Sequence, residues 1–201
     1  MGLEVSQKGT QMPVVLWRHF YHITHRDNLR NIFRYGILSW HCAHQRGLTA
    51  SDISDPQVQE RRNRIEPVFR RSIHEYAPLY FNPKNPMLFR RRELQEELVI
   101  LEVSPDVLRY NQHIFTDGNA AAATTTFSTN REIIAASEDA LRAEWWTALP
   151  DGKRRRCAEV LIFPSVTPRF ITNAICANQG SASAINWTCP VSVIVDTSFF
   201  F

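Results

Sequence analysis

Short apolar runs, separated by polar and proline-containing stretches, make up most of this chain. Runs rich in β-branched and aromatic residues predict strands over residues 14–23, 77–81, 97–103, 158–163 and 191–195. These strands are mixed with helical patterns, without the regular strand–helix alternation of a doubly wound parallel sheet. We therefore expect an α+β fold.

The helical patterns between the strands are short. Thr24 is typical of an N-cap, apolar residues over 29–33 follow at helical spacing, and Gly36 is typical of a helix end. Other signals predict helix starts at Asp55-Pro56 and Ser104-Pro105, an amphipathic helix over 138–149 and a loop over 111–130.

The length of 201 residues fits one domain. We expect a loose polar arm over residues 1–13 and a single domain over 14–201. No run of about 18 apolar residues is present, which argues against a transmembrane helix and a membrane partner. The first residues lack the apolar core of a signal peptide, so we expect a cytoplasmic protein.

Positive charge is concentrated in arginine runs, although the net charge is only +3. The runs lie at 61–64, 90–92 and 153–156. Arginine binds phosphate through a planar fork and stacks on bases, so the runs indicate a polyanionic ligand. Ordinary solvated surface is an equally open interpretation of the charge alone.

The sequence lacks the motifs of several common sites. The four cysteines form no C-x-x-C pair, so we expect reduced thiols and no metal site. The G-x-G-x-x-G and Walker A patterns are both absent. A nucleotide, if used, would be bound without those phosphate-binding loops.

Four residues are candidates for chemistry. Glu159 begins an apolar strand directly after a basic run, where a carboxylate could stabilise positive charge on a sugar or serve as an ordinary edge residue. His22 ends the first predicted strand, where it could bind a ribose hydroxyl or remain a core histidine. Arg61 and Arg62 lie on a predicted helix and could equally form a solvated face.

Five sequence blocks carry a resemblance to a known family. They lie at 20–39 (FYHIT, then NL and GILS), 59–62 (QERR), 78–88 (PLYFNP and NPML), 115–120 (FTDGNA) and 158–162 (AEVLI). In this order they are similar to the blocks of the DarT family of DNA ADP-ribosyltransferase toxins. The terminal SFFF also resembles the aromatic end of that family.

The resemblance implies an ADP-ribosyltransferase fold, with a split β-sheet core surrounded by helices. It implies NAD⁺ as co-substrate without a metal, single-stranded DNA as acceptor, and a macrodomain antitoxin as partner. Thymine is the favoured base. The same chemistry on guanine, RNA or a protein side chain stays open, as does a non-catalytic nucleic-acid-binding protein with this fold.

The resemblance also implies residue roles. The catalytic residues would be Arg61 and Glu159, with Arg62 as the adjacent alternative to Arg61. The element that folds over NAD⁺ would span residues 43–62, and the acceptor loop would span 117–159. The NAD⁺ contacts would be His22, Ile23, Thr24, Asn31, Ser39 and Arg61. From residue type alone, we add as DNA contacts Asn119, Trp145, Trp146, Lys153, Arg154 and Arg155.

Overall fold

The structure is a computed structural model that describes residues 17–201. The expected arm over 1–13 and the start of the first predicted strand lie outside these residues. Within 17–201, no helix has the length and apolar character needed to cross a membrane.

The strands of the described chain are mostly short. They are β1 Phe20–His25, β2 Ile37–Leu38, β3 Ala77–Tyr80, β4 Leu98–Val103, β5 Gln112–Thr116, β6 Phe127–Ser128, β7 Glu159–Phe163, β8 Ser165–Val166, β9 Ile171–Cys176 and β10 Ser192–Val195. The helices are α1 Leu29–Tyr35, α2 Trp40–Gln45, α3 Pro56–Arg62, α4 Pro86–Arg90, α5 Val107–Tyr110, α6 Glu138–Arg142, α7 Gly152–Arg155 and α8 Gln179–Ile185.

One large sheet organises the fold, in the order β10-β9-β4-β1-β3-β7-β5-β6. Its pairs are antiparallel apart from β9 and β10, and β2 pairs with β8 separately. Between β1 and β3, the strands pair only at Tyr21 and Tyr80. The sheet therefore nearly divides at its centre. The expected α+β class and split-sheet architecture are confirmed.

Apolar side chains cover both faces of the sheet. In β4, every residue is buried. Val99, Leu101 and Val103 belong to the main cluster, whereas Leu98 and Ile100 belong to a second cluster with Phe200. Because successive strand residues point to opposite faces, burial on both faces explains why every residue of this strand except Glu102 is apolar.

Two predicted helix boundaries are confirmed and one is wrong. Asp55 caps α3 by accepting hydrogen bonds from two backbone N–H groups, and Gly36 ends α1 with φ of 93°. A Cβ on Gly36 would lie 2.4 Å from the Val166 carbonyl oxygen, so only glycine fits there. Thr24 is not a cap, because it lies within β1, and the first helical turn is capped by His25 instead.

Two other predictions fail for physical reasons. The expected loop over 111–130 contains β5, which lies between β7 and β6 near one edge of the large sheet. The expected helix over 138–149 ends at Arg142. The buried Arg156 guanidinium donates hydrogen bonds to the carbonyls of Ala140, Leu141 and Ala143. Those carbonyls are therefore occupied by a side chain instead of the next turn of helix.

Candidate active site

A cavity of about 330 Å³ opens beside the centre of the sheet. Its walls are the end of β1, helix α1, the segment from α2 to α3, and helix α4 with the residue that follows it. The volume lies within the usual range for small-molecule sites. The predicted ligand contacts that line it are His22, Ile23, Thr24, Asn31, Arg61, Asn119 and Lys153.

Glu159 lies behind one wall of this cavity, at the start of β7. It pairs across the sheet with Tyr80 of β3, which lines the cavity. The side chain of Glu159 is only 1% exposed. Its carboxylate accepts hydrogen bonds from Arg62 Nη1 at 3.1 and 3.0 Å, and its Oε1 accepts one from the Ala120 backbone N–H at 2.9 Å.

Arg62, rather than Arg61, is the arginine that contacts Glu159. The two are neighbours at the end of α3, where successive side chains point about 100° apart around the helix axis. The guanidinium of Arg62 is buried against Glu159, whereas Arg61 is exposed at the rim of the same cavity. The arrangement favours the adjacent arginine that the sequence left open.

One ring nitrogen of His22 is bonded within the protein, and the other is free to bind a ligand. Its Nδ1 donates to the Pro78 carbonyl oxygen at 3.1 Å, which leaves Nε2 as the acceptor. Burial lowers the pKa of His22 to about 4, against which the Pro78 bond acts only weakly. The ring is therefore neutral at physiological pH and can accept a hydrogen bond from a hydroxyl or an amide.

The loop between α2 and α3 is fastened over the cavity by two asparagines. Asn28 accepts hydrogen bonds from the backbone N–H groups of Ala50 and Ser51, and it donates to the Ser51 carbonyl and the Thr24 hydroxyl. Asn31 donates to the Leu48 carbonyl at 2.8 Å. We call residues 48–51 the cover loop.

Ser39 does not join the cavity. Its hydroxyl caps α2 by accepting a hydrogen bond from the Cys42 N–H, and its side chain is buried. The position was expected to contact NAD⁺. In the structure it instead fixes the start of α2, whose first residue, Trp40, does line the cavity.

A stack of three aromatic rings, which the sequence did not single out, forms another wall. Trp40 lies between His44 and His74, with ring centroids 4.0 and 4.5 Å away. The buried Trp40 Nε1 has no hydrogen-bond partner among residues 17–201. Only the spacing of aromatic residues near α2 could have suggested this wall, because His74 comes from a distant segment.

The acceptor side of the cavity presents Asn119 and Lys153. The backbone N–H of Asn119 donates to the Arg154 carbonyl, and its side-chain oxygen accepts from the Ala121 N–H. Lys153 lies on α7. These two expected DNA contacts therefore face the site from the same loop.

Three of the expected DNA contacts, Trp146, Arg154 and Arg155, already have partners within the described chain. Trp146 is 6% exposed and packs against Phe201, so it cannot stack on a base. Arg154 forms ion pairs with Asp117 and Asp151, and Arg155 pairs with Asp139. Both guanidinium groups hold the acceptor loop together. Trp145, in contrast, is 64% exposed.

Residues 17–201 contain no cluster of three or more metal-ligating side chains of the histidine, cysteine, aspartate and glutamate types. The Cys157 thiol lines the cavity next to Glu159. Burial, reinforced by the Glu159 charge, raises the pKa of this thiol to about 12.

The fold matches solved transferase structures. Thermosipho africanus DarTG in complex with ADP-ribose superposes with a TM-score of 0.78 at 30% identity, covering 92% of this chain and 51% of that one. Thermus sp. 2.9 DarT in complex with ADP-ribosylated single-stranded DNA gives a TM-score of 0.83 at 23% identity, covering 92% and 97%. The fold of this chain is therefore that of an ADP-ribosyltransferase.

Sequence comparison narrows the class to one family. The profile of the family described as "ssDNA thymidine ADP-ribosyltransferase, DarT" matches residues 21–199. A curated Thermosipho africanus transferase–glycohydrolase fusion protein is 32% identical over 197 residues, covering 92% of this chain. A DNA ADP-ribosyl transferase of Thermus sp. (strain 2.9) is 30% identical over 155 residues, covering 71%. The chain belongs to the DarT family of NAD⁺-dependent DNA ADP-ribosyltransferases.

The chain spans about half the length of the Thermosipho fusion protein, whereas the alignment covers 73% of the Thermus transferase.

Proposed function

We propose that this protein transfers ADP-ribose from NAD⁺ to a base of single-stranded DNA, with thymine as the favoured base, and acts as the toxin of a toxin–antitoxin pair. One observation carries the catalytic part of the proposal. A buried carboxylate, Glu159, is paired with an arginine, Arg62, at the wall of a nucleotide-sized cavity.

The residues around the cavity fit NAD⁺. The free Nε2 of His22 offers a hydrogen-bond acceptor to a ligand. Four arginines at the rim or wall, Arg61, Arg62, Arg90 and Arg91, supply positive charge for a pyrophosphate. Of these, Arg61 has the greatest freedom, because its side chain is exposed and makes no hydrogen bond within residues 17–201.

When bound, NAD⁺ supplies an ADP-ribosyl group whose bond to nicotinamide breaks with the electron pair leaving on nicotinamide, so that positive charge develops on the ribose. Glu159 stabilises that charge by accepting a hydrogen bond from a ribose hydroxyl. His22 and Thr24 hold the nicotinamide end. Because Arg62 occupies both carboxylate oxygens, Arg62 must turn toward the ligand before Glu159 can act.

On the acceptor side, a ring nitrogen of the base bonds to the ribose carbon and gives up its proton to solvent. The Arg62 guanidinium stabilises the negative charge that builds up on the base. A guanidinium with a pKa above about 12 is a poor proton acceptor, so we assign Arg62 an electrostatic role. Asn119, Lys153 and the exposed Trp145 bind the DNA strand.

The biological context is also a proposal. The Thermosipho relative joins a transferase and a DNA ADP-ribosyl glycohydrolase in one protein. This supports a macrodomain antitoxin that removes the ADP-ribose as the partner of this chain. A cytoplasmic location stays a prediction of the sequence.

The experiment is incubation with NAD⁺ and single-stranded oligonucleotides that differ in one base, followed by mass spectrometry. We expect one ADP-ribose on thymine-containing strands. Glu159→Gln, which keeps the shape of the side chain, should lower the rate at least ~10²-fold. An adduct on guanine-containing strands or on RNA would identify that acceptor in place of thymine. NAD⁺ left intact with every acceptor would overturn the proposal and favour a binding protein.

A further inference from the structure

We propose that Arg64 is a positioning residue for Glu159, acting through the backbone of Ala120. The inference rests on the proposed function, because it concerns the same carboxylate. It assigns a role to an arginine that the sequence placed only in a basic run and that does not line the cavity.

Ala120 is bonded on both sides of its backbone. Its N–H donates to Glu159 Oε1 at 2.9 Å, and its carbonyl accepts from Arg64 Nη2 at 2.9 Å. The same Nη2 donates to the Ala122 carbonyl at 2.8 Å, and the Arg64 guanidinium lies 5.6 Å from the Phe127 ring centroid. Arg64 thus holds the turn that carries the Ala120 N–H through two hydrogen bonds.

The arginine is well placed to fix this turn relative to α3. Its backbone N–H donates to the Arg62 carbonyl, and its own carbonyl accepts from the Ile73 N–H. Its Nε is buried without a partner within residues 17–201. A buried N–H left unpaired costs free energy. The hydrogen bonds of the same guanidinium with Ala120 and Ala122 must offset this cost.

The consequence concerns the moment when Arg62 leaves Glu159. Among the hydrogen bonds of residues 17–201, Arg62 and Ala120 supply the donors to this carboxylate. Once Arg62 turns to the ligand, the Ala120 N–H is the remaining donor that orients Glu159. Arg64 keeps that N–H in place, and it also links the NAD⁺ side of the site to the acceptor loop.

Three variants test this role: Arg64→Met removes the donors, Arg64→Lys keeps one charged donor, and Arg71→Met is the matched control. Arg71 lies on the same segment, with its guanidinium 3.9 Å from the Phe163 ring centroid, and its Nε also lacks a partner. For Arg64→Met we expect kcat for DNA modification to fall about tenfold, the effect of one lost oriented hydrogen bond. The Kd for NAD⁺ should change less than about threefold.

The lysine variant should recover part of kcat, and Arg71→Met should stay within about twofold of the parent. Amide hydrogen exchange, measured without DNA, should be clearly faster at Ala120 in Arg64→Met, faster to a smaller extent in Arg64→Lys, and unchanged in Arg71→Met. Unchanged exchange at Ala120, or equal losses of kcat and NAD⁺ affinity, would overturn the inference. If Arg64→Met does not fold, the lysine variant decides by the same two readouts.

These outcomes separate the inference from the proposed function. A parent protein that leaves both NAD⁺ and DNA unchanged would contradict the proposed function. An amide exchange rate at Ala120 that does not change when Arg64 is substituted would contradict only the positioning role.

Discussion

Arg62 lines the cavity and Glu159 does not, yet Arg62 Nη1 lies within 3.1 Å of both oxygens of the Glu159 carboxylate. The guanidinium therefore separates the carboxylate from the space where a nucleotide would bind. Adjacent residues of α3 are thereby given different tasks, because Arg61 on the exposed side is free of this pair.

The first prediction compares the two arginines. Arg62→Met leaves a buried carboxylate with one hydrogen bond, and it should lower the free energy of unfolding by about 3–5 kcal/mol. Arg61→Met should change it by less than about 0.5 kcal/mol, because the side chain is exposed. Urea unfolding measures both. Equal effects in the two variants would show that the pair with Glu159 does not contribute as described.

A second prediction concerns pH and His22. The pKa of His22 is about 4 in the folded protein, against 6.5 ordinarily. Between these values the unfolded chain binds a proton that the native state does not bind. The free energy of unfolding should therefore fall as pH is lowered from 6.5 toward 4, and His22 should contribute no pH dependence above that window.

The matched variant is His22→Asn, which can keep a donor near the Pro78 carbonyl but cannot titrate. Its unfolding free energy should fall less steeply between pH 6.5 and 4 than that of the parent. Parallel curves for the two proteins would mean that His22 titrates normally in the fold.

The cover loop gives a third prediction. Asn28 holds Ala50 and Ser51 through both its oxygen and its nitrogen. Asn28→Ala should raise the KM for NAD⁺ about tenfold while kcat changes less, because the loop loses its anchor but Glu159 is untouched. Asn28→Asp keeps the oxygen acceptor, so its KM for NAD⁺ should lie between those of the parent and Asn28→Ala. A loss confined to kcat in steady-state assays would contradict a role for Asn28 in holding the loop.

The two tryptophans of the acceptor loop allow a fourth test. Trp145→Ala should weaken binding of a single-stranded oligonucleotide by about 1–3 kcal/mol and leave thermal unfolding nearly unchanged. Trp146→Ala should instead destabilise the fold by about 3–5 kcal/mol, since its ring is buried against Phe201. Fluorescence anisotropy and calorimetry separate the two effects. Undiminished DNA affinity in Trp145→Ala would remove that residue from the interface.

The sequence predicted those parts of the fold that local chemistry determines. Asp55 and Gly36 bound their helices because a carboxylate oxygen and a positive φ are local requirements. The end of α6 was beyond reach, because it depends on a guanidinium contributed by Arg156 from a later segment. Helix ends determined by neighbouring residues were therefore predictable, whereas the end determined by a residue distant in the sequence was not.

The same distinction applies to the site. The five family blocks led to the cavity and Glu159. They could not decide between Arg61 and Arg62, because the sequence does not show which face of the helix points to the cavity. The expected DNA contacts were chosen by residue type, and type does not reveal a partner. Arg154 and Arg155 looked available for phosphate, but their aspartate partners lie elsewhere in the acceptor loop.

The thiol of Cys157 bears on how such an enzyme could be blocked. Burial and the Glu159 charge raise the pKa of this thiol to about 12, so almost none of it is ionised at neutral pH, although the side chain borders the cavity. Alkylating warheads need the thiolate, so an electrophilic inhibitor aimed at this cysteine would react too slowly to be useful. Compounds that compete reversibly, with complementary shape and charge for Arg62 and the Trp40 stack, are the better starting point for inhibitor design.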